Sequence, residues 1–519
     1  MRYAGLLREI TLGAKLQAVR NVSSSWVSLG VNLAVGVFLT PFILHRLGDE
    51  GYGLWVLVFS VTGFYRMFNL GIGSAVIRYV ARFTATRDFQ NLERYLNTIL
   101  FLYSSIAILL FATTVLISWH LESLFHISPS FRTTARFLFL LVGSGLALQF
   151  PMGVFGGILE GLQQFWWKNI IQIGSDLLRA LLIFLALRHG FGLLTISFLT
   201  VAVSLLSSAF YIPLVRRYLP IAFRILRFER AVFVEIIRYA SVTFTSMVGS
   251  QLRYKSDAVV IGMFLTASSI TPFAIATKFI DYSTATVDCL AQIFTPMSSH
   301  LHAKGDMESL RRVFVRGNRV CALLIFPLCV GLIILGKSAI EVWVGAKYVS
   351  SYWILLTLLL PHTLEKAQWT SPRILYGMAQ HWTLGKVRLL EGVANLALSI
   401  ILLRYYGILG VALGTAIPLM ISSTLFLPQH LCGILHVRLG TFIKDAYLPP
   451  LLLCLPLVLV LYPLQHHFPA HTLFQLLKEA VAGGLVYGIG VCWYVFVKEP
   501  AGIQLRARFL EYLAADRRP

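Results

Sequence analysis

Charge is what this chain has least of. Only 13% of its 519 residues are Asp, Glu, Lys or Arg, against roughly 25% in an ordinary soluble domain. Acidic residues are the scarcer kind, 23 against 44 Lys and Arg, and the formal net charge is +21. With 57% of residues apolar and a mean hydropathy of +0.75, too little polar surface remains to cover a water-soluble body of this length. That excludes a soluble enzyme, a disordered chain and a nucleic-acid-binding domain. Cysteine is sparse too: the six residues Cys289, Cys321, Cys329, Cys432, Cys454 and Cys492 form no CxxC pair and have no His at metal-ligand spacing. They read as small buried hydrophobes, so neither a metal nor a cofactor is expected. The first 22 residues lack the apolar core and small-residue cleavage site of a signal peptide. Leu6, Leu7, Ile10, Leu16 and Val19 instead fall near helical spacing among Arg2, Arg8, Lys15 and Arg20, which predicts an interfacial amphipathic segment over 1–22. Long polar segments are missing as well, so function is expected within the membrane.

Apolar sequence in long runs is what the chain has in abundance. A spanning helix needs about 20 mostly apolar residues. Fourteen runs qualify: 23–44, 52–81, 96–118, 135–157, 169–187, 192–214, 239–265, 272–299, 320–336, 351–370, 387–403, 407–428, 447–463 and 474–497. The expected fold is an all-α polytopic membrane protein. The second and eighth runs exceed the bilayer and must tilt, bend or project, with Gly71 and Gly73 supplying a bend in the second. With the N-terminus inside, the inside segments carry 29 Lys and Arg and the outside segments 6. This bias predicts an N-in, C-in topology.

The chain also repeats itself. Ile158-Leu-Glu-Gly161-Leu-Gln-Gln164-Phe-Trp166 resembles Ile374-Leu-Tyr-Gly377-Met-Ala-Gln380-His-Trp382 at an offset of 216, and Asp88-Phe-Gln-Asn-Leu92-Glu-Arg94 resembles Asp306-Met-Glu-Ser-Leu310-Arg-Arg312 at 218. The unit spans six helices, so both copies return to their starting side. Such copies relate by an axis along the membrane normal with a pocket between them, which suits alternating access. The expected parts are the interfacial segment 1–22, an N-lobe 23–214, a basic cytoplasmic linker 215–238, a C-lobe 239–428, two extra helices within 429–497 and a basic cytoplasmic tail 498–519.

A charge at mid-bilayer costs about 2.5–3.5 kcal/mol even on lenient scales, so the charges inside the runs need a reason. Run two holds Arg66 and Arg78, run five Asp176 and Arg179, run seven Arg253, Lys255 and Asp257, run eight Lys278, Asp281 and Asp288, run ten Glu365 and Lys366, and run eleven Glu391. Arg253 and Asp257 are four apart, share a face and can pair, whereas Lys255 lies about 200° round the helix from Arg253. Lys278, Asp281 and Asp288 favour one stripe. The functional reading assigns Arg66, Arg78, Arg253, Lys255 and Lys278 to an anionic headgroup, since planar guanidinium donors suit a diphosphate. Asp257, Asp281 and Asp288 would balance charge or carry a coupling proton or Na⁺. Tyr65, Tyr254 and Tyr282 are sugar-contact candidates. The competing reading makes Arg253–Asp257 and Lys278–Asp281 buried pairs that fix packing, the tyrosines members of an interfacial belt, and Arg179, Glu365, Lys366 and Glu391 snorkelling residues near the membrane edges. No catalytic group is expected: Asp49-Glu50 sits in a loop of about seven residues with no outer domain to hold an acceptor, and Gly71-Ile-Gly73 lacks the strand and third glycine of a nucleotide loop.

Three segments carry a resemblance: Leu47-Gly-Asp-Glu-Gly51-Tyr52-Gly53-Leu54, Asn69-Leu-Gly71-Ile-Gly73-Ser-Ala-Val-Ile-Arg78-Tyr, and Ser256-Asp257-Ala-Val-Val-Ile-Gly262-Met-Phe. With the duplication they resemble the multidrug/oligosaccharidyl-lipid/polysaccharide (MOP) superfamily, and within it the Wzx-type O-antigen flippases. There are two departures. Asn69 stands where the family often has Asp, and Ile270-Thr271-Pro272-Phe273 stands where a Gly-x-Tyr element is common. The resemblance implies a flippase that moves a polyprenyl-diphosphate-linked saccharide to the outer leaflet of a bacterial inner membrane. Its partners would be that lipid, the bilayer and polysaccharide assembly enzymes, with no nucleic acid. The alternatives within the superfamily are a MATE-type drug or metabolite exporter and a lipid II flippase. A membrane glycosyltransferase, from another class, would need a long acceptor-binding outer loop that the sequence lacks.

Overall fold

Helices account for almost all of the backbone. The computed structural model describes residues 2–498, with side chains from 23 onward except at 239–243, 245, 246, 381 and 498, and holds no strand among the described residues. The expected basic tail and the apolar face expected of 1–22 lie outside the described residues, although the backbone of that first segment continues into α1. The helices are α1 Arg2–Gly63, α2 Ile72–Ala85, α3 Phe89–Leu124, α4 Arg132–Gly161, α5 Phe165–Arg188, α6 Leu193–Tyr218, α7 Arg230–Phe264, α8 Ala267–Ala291 and α9 Phe294–Ala303. They continue with α10 Met307–Val344, α11 Ser351–Ala367, α12 Thr370–Gly377, α13 His381–Tyr406, α14 Ile408–Ile421, α15 Leu427–Leu435, α16 Leu439–Ala446, α17 Leu448–His467 and α18 Leu473–Lys498.

Among the described residues, nine stretches are long and apolar enough to cross a membrane, and the chain is a multi-pass membrane protein. The first, Ser23–Asn69, joins the expected first run to much of the second. The runs 239–265, 272–299, 351–370 and 387–403 lie outside these nine stretches and are among those that carry intramembrane charges.

Local chemistry explains where the helices break. Gly48 alone turns α1, at φ 71° and ψ 178°, and so replaces the expected seven-residue loop. The long second run bends where the sequence predicts it. A 3-10 turn over Phe64–Asn69 ends in Leu70 and Gly71, both left-handed, before α2 begins. Asn69 secures that bend: its Oδ1 accepts from the Gly73 N–H at 2.9 Å and from the Tyr103 hydroxyl at 2.7 Å. The departure from Asp at this position therefore keeps the acceptor and drops the charge. The eighth run also breaks, into α8 and α9.

The duplication is visible in the backbone. Asp88 and Asp306 each cap a long helix, α3 and α10, by accepting the N–H three residues on. Left-handed residues recur in register at Arg87 and Gly305, at Gln163 and Ala379, and at Gly190 and Gly407. The chain forms two compact units, one comprising residues up to 274 with 382–415, the other 275–381 with those from 416 onward. In the first unit a core of α2, α3, α4 and α6 side chains surrounds Ile72, Tyr79, Leu96, Ile158 and Val215. In the second, Val287, Cys321, Ile325 and Cys454 centre a core built from α8, α10 and α17.

Candidate functional site

The candidate site of the first unit is built on α7, which packs against α1, the 3-10 turn at 64–69, and α2. On its other side α13 comes close enough that a side chain would not fit. A Cβ on Gly249 would stand 2.5 Å from the Arg388 carbonyl carbon, and one on Gly392 would stand 2.8 Å from the Leu252 Cβ. Small residues at such a crossing let two backbones touch, which brings short polar side chains within reach of each other.

Two rungs of polar contacts follow from that approach. Arg253 is only 5% exposed, and its Nη1 donates to Glu391 Oε2 of α13 at 3.0 Å. The same guanidinium donates to the Tyr254 hydroxyl and lies 4.4 Å from that ring's centroid. One turn along α7, Asp257 is 7% exposed, and the Thr415 hydroxyl of α14 lies 3.0 Å from both of its carboxylate oxygens. Asn395, one turn beyond Glu391, donates to the Arg253 carbonyl at 3.2 Å, while its Oδ1 accepts from Ser399 at 2.8 Å and lies 3.3 Å from Thr415 Oγ1. The i,i+4 spacing that led the sequence reading to pair Arg253 with Asp257 thus serves partners on α13 and α14. Glu391 corrects the reading in the other direction: it is a buried counter-charge and does not snorkel at a membrane edge.

Lys255 leaves α7 on its other face. Its aliphatic stem lies over Gly63 of α1, where a Cβ would sit 3.4 Å from Lys255 Cγ and Cδ. Arg66 follows on the next turn and is exposed. The packing of α7 on α1 therefore brings Lys255 beside the turn that carries Arg66, while Arg253 faces α13 on the other side of α7. Arg78 lies beyond the bend, on the exposed face of α2, 6.0 Å from the Tyr79 ring. Among the sugar-contact candidates Tyr254 is half-exposed, whereas Tyr65 is a packing residue: it is buried and its hydroxyl is 2.7 Å from Thr114 Oγ1.

Lys278, Asp281, Tyr282 and Asp288 belong to the second unit. Lys278 is partly buried, Asp281 is exposed, and the Tyr282 ring meets Trp343 edge-on at 6.2 Å. Asp288 receives the ammonium of Lys366 at 2.7 Å, and that ammonium also lies 3.6 Å from the Trp369 centroid. Lys366 is buried in this arrangement, so it too is a packed counter-charge and not a snorkelling residue. Asn69, Glu391, Asn395, Thr415 and Lys366 are the residues that sequence reasoning missed or set aside. For Glu391 and Asn395 a signal existed: they are four apart on run eleven, as Arg253 and Asp257 are on run seven.

One end of the first unit, around Gly48 and the start of α8, is fastened. Thr271 of α8 donates to the Asp49 carbonyl at 2.7 Å, Glu50 accepts from the Ser128 N–H at 3.3 Å, and the His126 N–H donates to the Gly262 carbonyl at 3.1 Å. Thr271 belongs to the Ile-Thr-Pro-Phe departure, and its hydroxyl supplies the tie to the segment after Gly48.

The family described as "Polysaccharide biosynthesis protein" matches residues 43–352. The chain is 23% identical over 439 residues to "Uncharacterized membrane protein EpsK" of Bacillus subtilis (strain 168), covering 82% of this chain and 85% of that protein. It is 23% identical over 303 residues to the "Putative O-antigen transporter" of Salmonella typhi, covering 56% of this chain and 67% of that one. Among solved structures it shares its fold with "Lipid II flippase MurJ, inward closed conformation" at a TM-score of 0.70 and 17% identity, over 92% of this chain and 99% of that chain.

Proposed function

The chain belongs to the polysaccharide biosynthesis protein family, and from that membership we propose that it is a flippase for a polyprenyl-diphosphate-linked oligosaccharide. In this reading it is a transporter and not an enzyme. It works by alternating access and delivers its lipid from the cytoplasmic to the outer leaflet of a bacterial inner membrane for cell-surface polysaccharide assembly. The observation that supports the reading is the set of intramembrane cations of the first unit: Arg253 held by Glu391 on one face of α7, and on the other Lys255 laid across Gly63, with Arg66 exposed on the next turn. The Glu391 carboxylate orients the Arg253 guanidinium, and a diphosphate offers two oxygens to planar donors of this kind. Tyr254 would set its half-exposed ring beside the first sugar. The prenyl tail would stay in lipid. Binding drives the cycle only to the extent that the two conformations hold the diphosphate with different affinity.

Asp257 would be the coupling group. Its surroundings offer oxygen donors, namely its own carboxylate, Thr415 Oγ1, Asn395 Oδ1 and, 3.4 Å from Thr415 Oγ1, the Val411 carbonyl. An all-oxygen set of this kind suits a proton or a hard monovalent cation. Such an ion would supply a gradient to bias the cycle, and Asp257→Asn is expected to remove the dependence of transport on that gradient.

The test is reconstitution into vesicles with a fluorescent polyprenyl-diphosphate saccharide, followed by reading its arrival in the opposite leaflet. Wild type is expected to deliver it. Arg253→Gln and Arg66→Gln, each losing a charge-assisted hydrogen bond of about 2 kcal/mol, are expected to slow delivery about 30-fold. Delivery unchanged in both variants would keep the flippase and remove this site. Wild-type vesicles that leave the lipid in place and instead move a cationic drug would overturn the function.

A further inference from the structure

The linker between α6 and α7 carries a feature that transport does not use. Arg224–Arg227 form a turn, closed by the Arg227 N–H on the Arg224 carbonyl at 3.2 Å, and Ile225 and Leu226 are its tip. Ile225 is 53% exposed and Leu226 is 90% exposed, the highest value for a large apolar residue among those described.

The turn is held rigidly from both sides. Before it, buried Asn97 of α3 grips the linker backbone twice, donating to the Ala222 carbonyl at 3.1 Å and accepting the Arg224 N–H at 2.7 Å, while Phe223 packs on Phe155. After it, Arg227 reaches Glu93 at 3.7 Å and Glu229 at 3.5 Å, Arg94 holds Glu229 at 2.6 Å, and Phe228 packs on Phe101. A loop pinned in this way has already lost the entropy that ordering on a partner would cost.

Its level in the membrane follows from α3. The 36 residues of that helix run about 54 Å, beyond a hydrocarbon core of roughly 30 Å, and the anchors Glu93, Asn97 and Phe101 all lie within its first four turns. The turn therefore sits toward the end that the charge bias assigns to the cytoplasm, where the helix leaves the core. Its open backbone groups exclude a place within hydrocarbon, which leaves the headgroup level.

Charge fixes the occupant. Residues 215–238 carry Arg216, Arg217, Arg224, Arg227, Arg230 and Arg238 against Glu229 and Glu235. Glu229 is bound by Arg94, and Glu235 accepts from the hydroxyls of Tyr79 and Tyr95. What the linker presents outward is arginine flanking two aliphatic side chains. We infer that this turn is a membrane-interface anchor, with Ile225 and Leu226 inserted at the acyl boundary and the arginines on the phosphates of anionic lipids. Because Arg230 opens α7 directly after it, the anchor fixes the depth of the helix that carries Arg253 and Asp257.

The test uses the full-length protein in bilayers, with Leu226→Cys labelled by an environment-sensitive fluorophore and the accessible Cys289 and Cys492 replaced by Ser. A second labelled protein, with Lys304→Cys on an exposed turn of the other repeat, is the control. Quenching by lipids brominated along the acyl chain is expected to be at least about threefold stronger at 226 than at 304 when roughly a third of the lipid is anionic. Arg224→Gln is expected to reduce it. Equal quenching at 226 and 304 in bilayers without added soluble protein would overturn the anchor, as would quenching at 226 that ignores anionic lipid. Shielding of 226 that appears only when soluble proteins are added would assign the turn to a protein partner and would also overturn the proposal.

Discussion

Gly53 should control whether the fastened end of the first unit can stay closed. It lies in the helical segment after Gly48 and faces the N-terminus of α8, where a Cβ would overlap the Ala267 carbonyl oxygen and stand 2.7 Å from the carbonyl carbon. The obstacle is backbone at the start of a helix, so it cannot rotate away as a side chain would. Gly53→Ala must therefore push α8 off the Gly48–Gly63 segment or leave the methyl overpacked. Overpacking of this kind costs about 1–3 kcal/mol, which is a shift of roughly 5- to 150-fold toward conformations in which the two segments are parted. The Thr271 hydroxyl would then lose the Asp49 carbonyl. Hydrogen exchange read by mass spectrometry on the protein in nanodiscs measures this directly. Amides at 49–56 and 265–272 are expected to exchange about tenfold or more faster in Gly53→Ala. Gly174→Ala is the control, since a Cβ there meets nothing within 4 Å. Equal exchange in Gly53→Ala and the control would refute the close approach, and with it the physical account of the Gly51-Tyr52-Gly53 motif.

Three further outcomes follow from the same contacts. Glu391→Gln should lower thermal stability by about 3–5 kcal/mol because it leaves buried Arg253 without its counter-charge, whereas Arg253→Gln combined with Glu391→Gln should recover much of that loss in the same melting assay. Asn69→Ala should cost about 1–3 kcal/mol by leaving the Gly73 N–H and the buried Tyr103 hydroxyl without an acceptor; Asn69→Asp, which keeps the acceptor, should stay nearer wild type, and a similar loss in both variants would remove the capping role. Arg94 holds the Glu229 carboxyl below its ordinary 4.5, so Glu229 contributes stability to the docked linker in full above that value and loses it as pH falls through the lowered one. Pepsin cleavage of the linker is expected to rise only at that acid end, whereas Glu229→Gln, which cannot titrate, should show the raised cleavage across the whole acid range with that step gone.

Much of this architecture was legible because it is set by local chemistry. Apolar runs announced the helices, Gly71 announced the bend, and the Asp88 and Asp306 segments announced a repeat whose caps recur in register. The site was less legible for a specific reason. Periodicity says which residues of one helix share a face and does not say which helix that face meets. Arg253 and Asp257 share a face by spacing, which suggested that they pair, yet the partner of each came from α13 or α14, about 140 to 160 residues away, through an approach that depends on Gly249 and Gly392. Asn69 failed differently: compared with a family carboxylate it looked like a loss, and only its hydrogen bonds show that an acceptor was what the bend required. The segments that carry the family resemblance divide along the same line. Gly53 lets α8 approach, Gly71 takes the left-handed bend, and Gly262 makes room for Leu57, so these positions serve backbone geometry. Apart from Asp257, the polar partners of the site (Glu391, Asn395 and Thr415) lie outside those segments. A motif match therefore speaks for the fold and leaves the cargo to be read from the site.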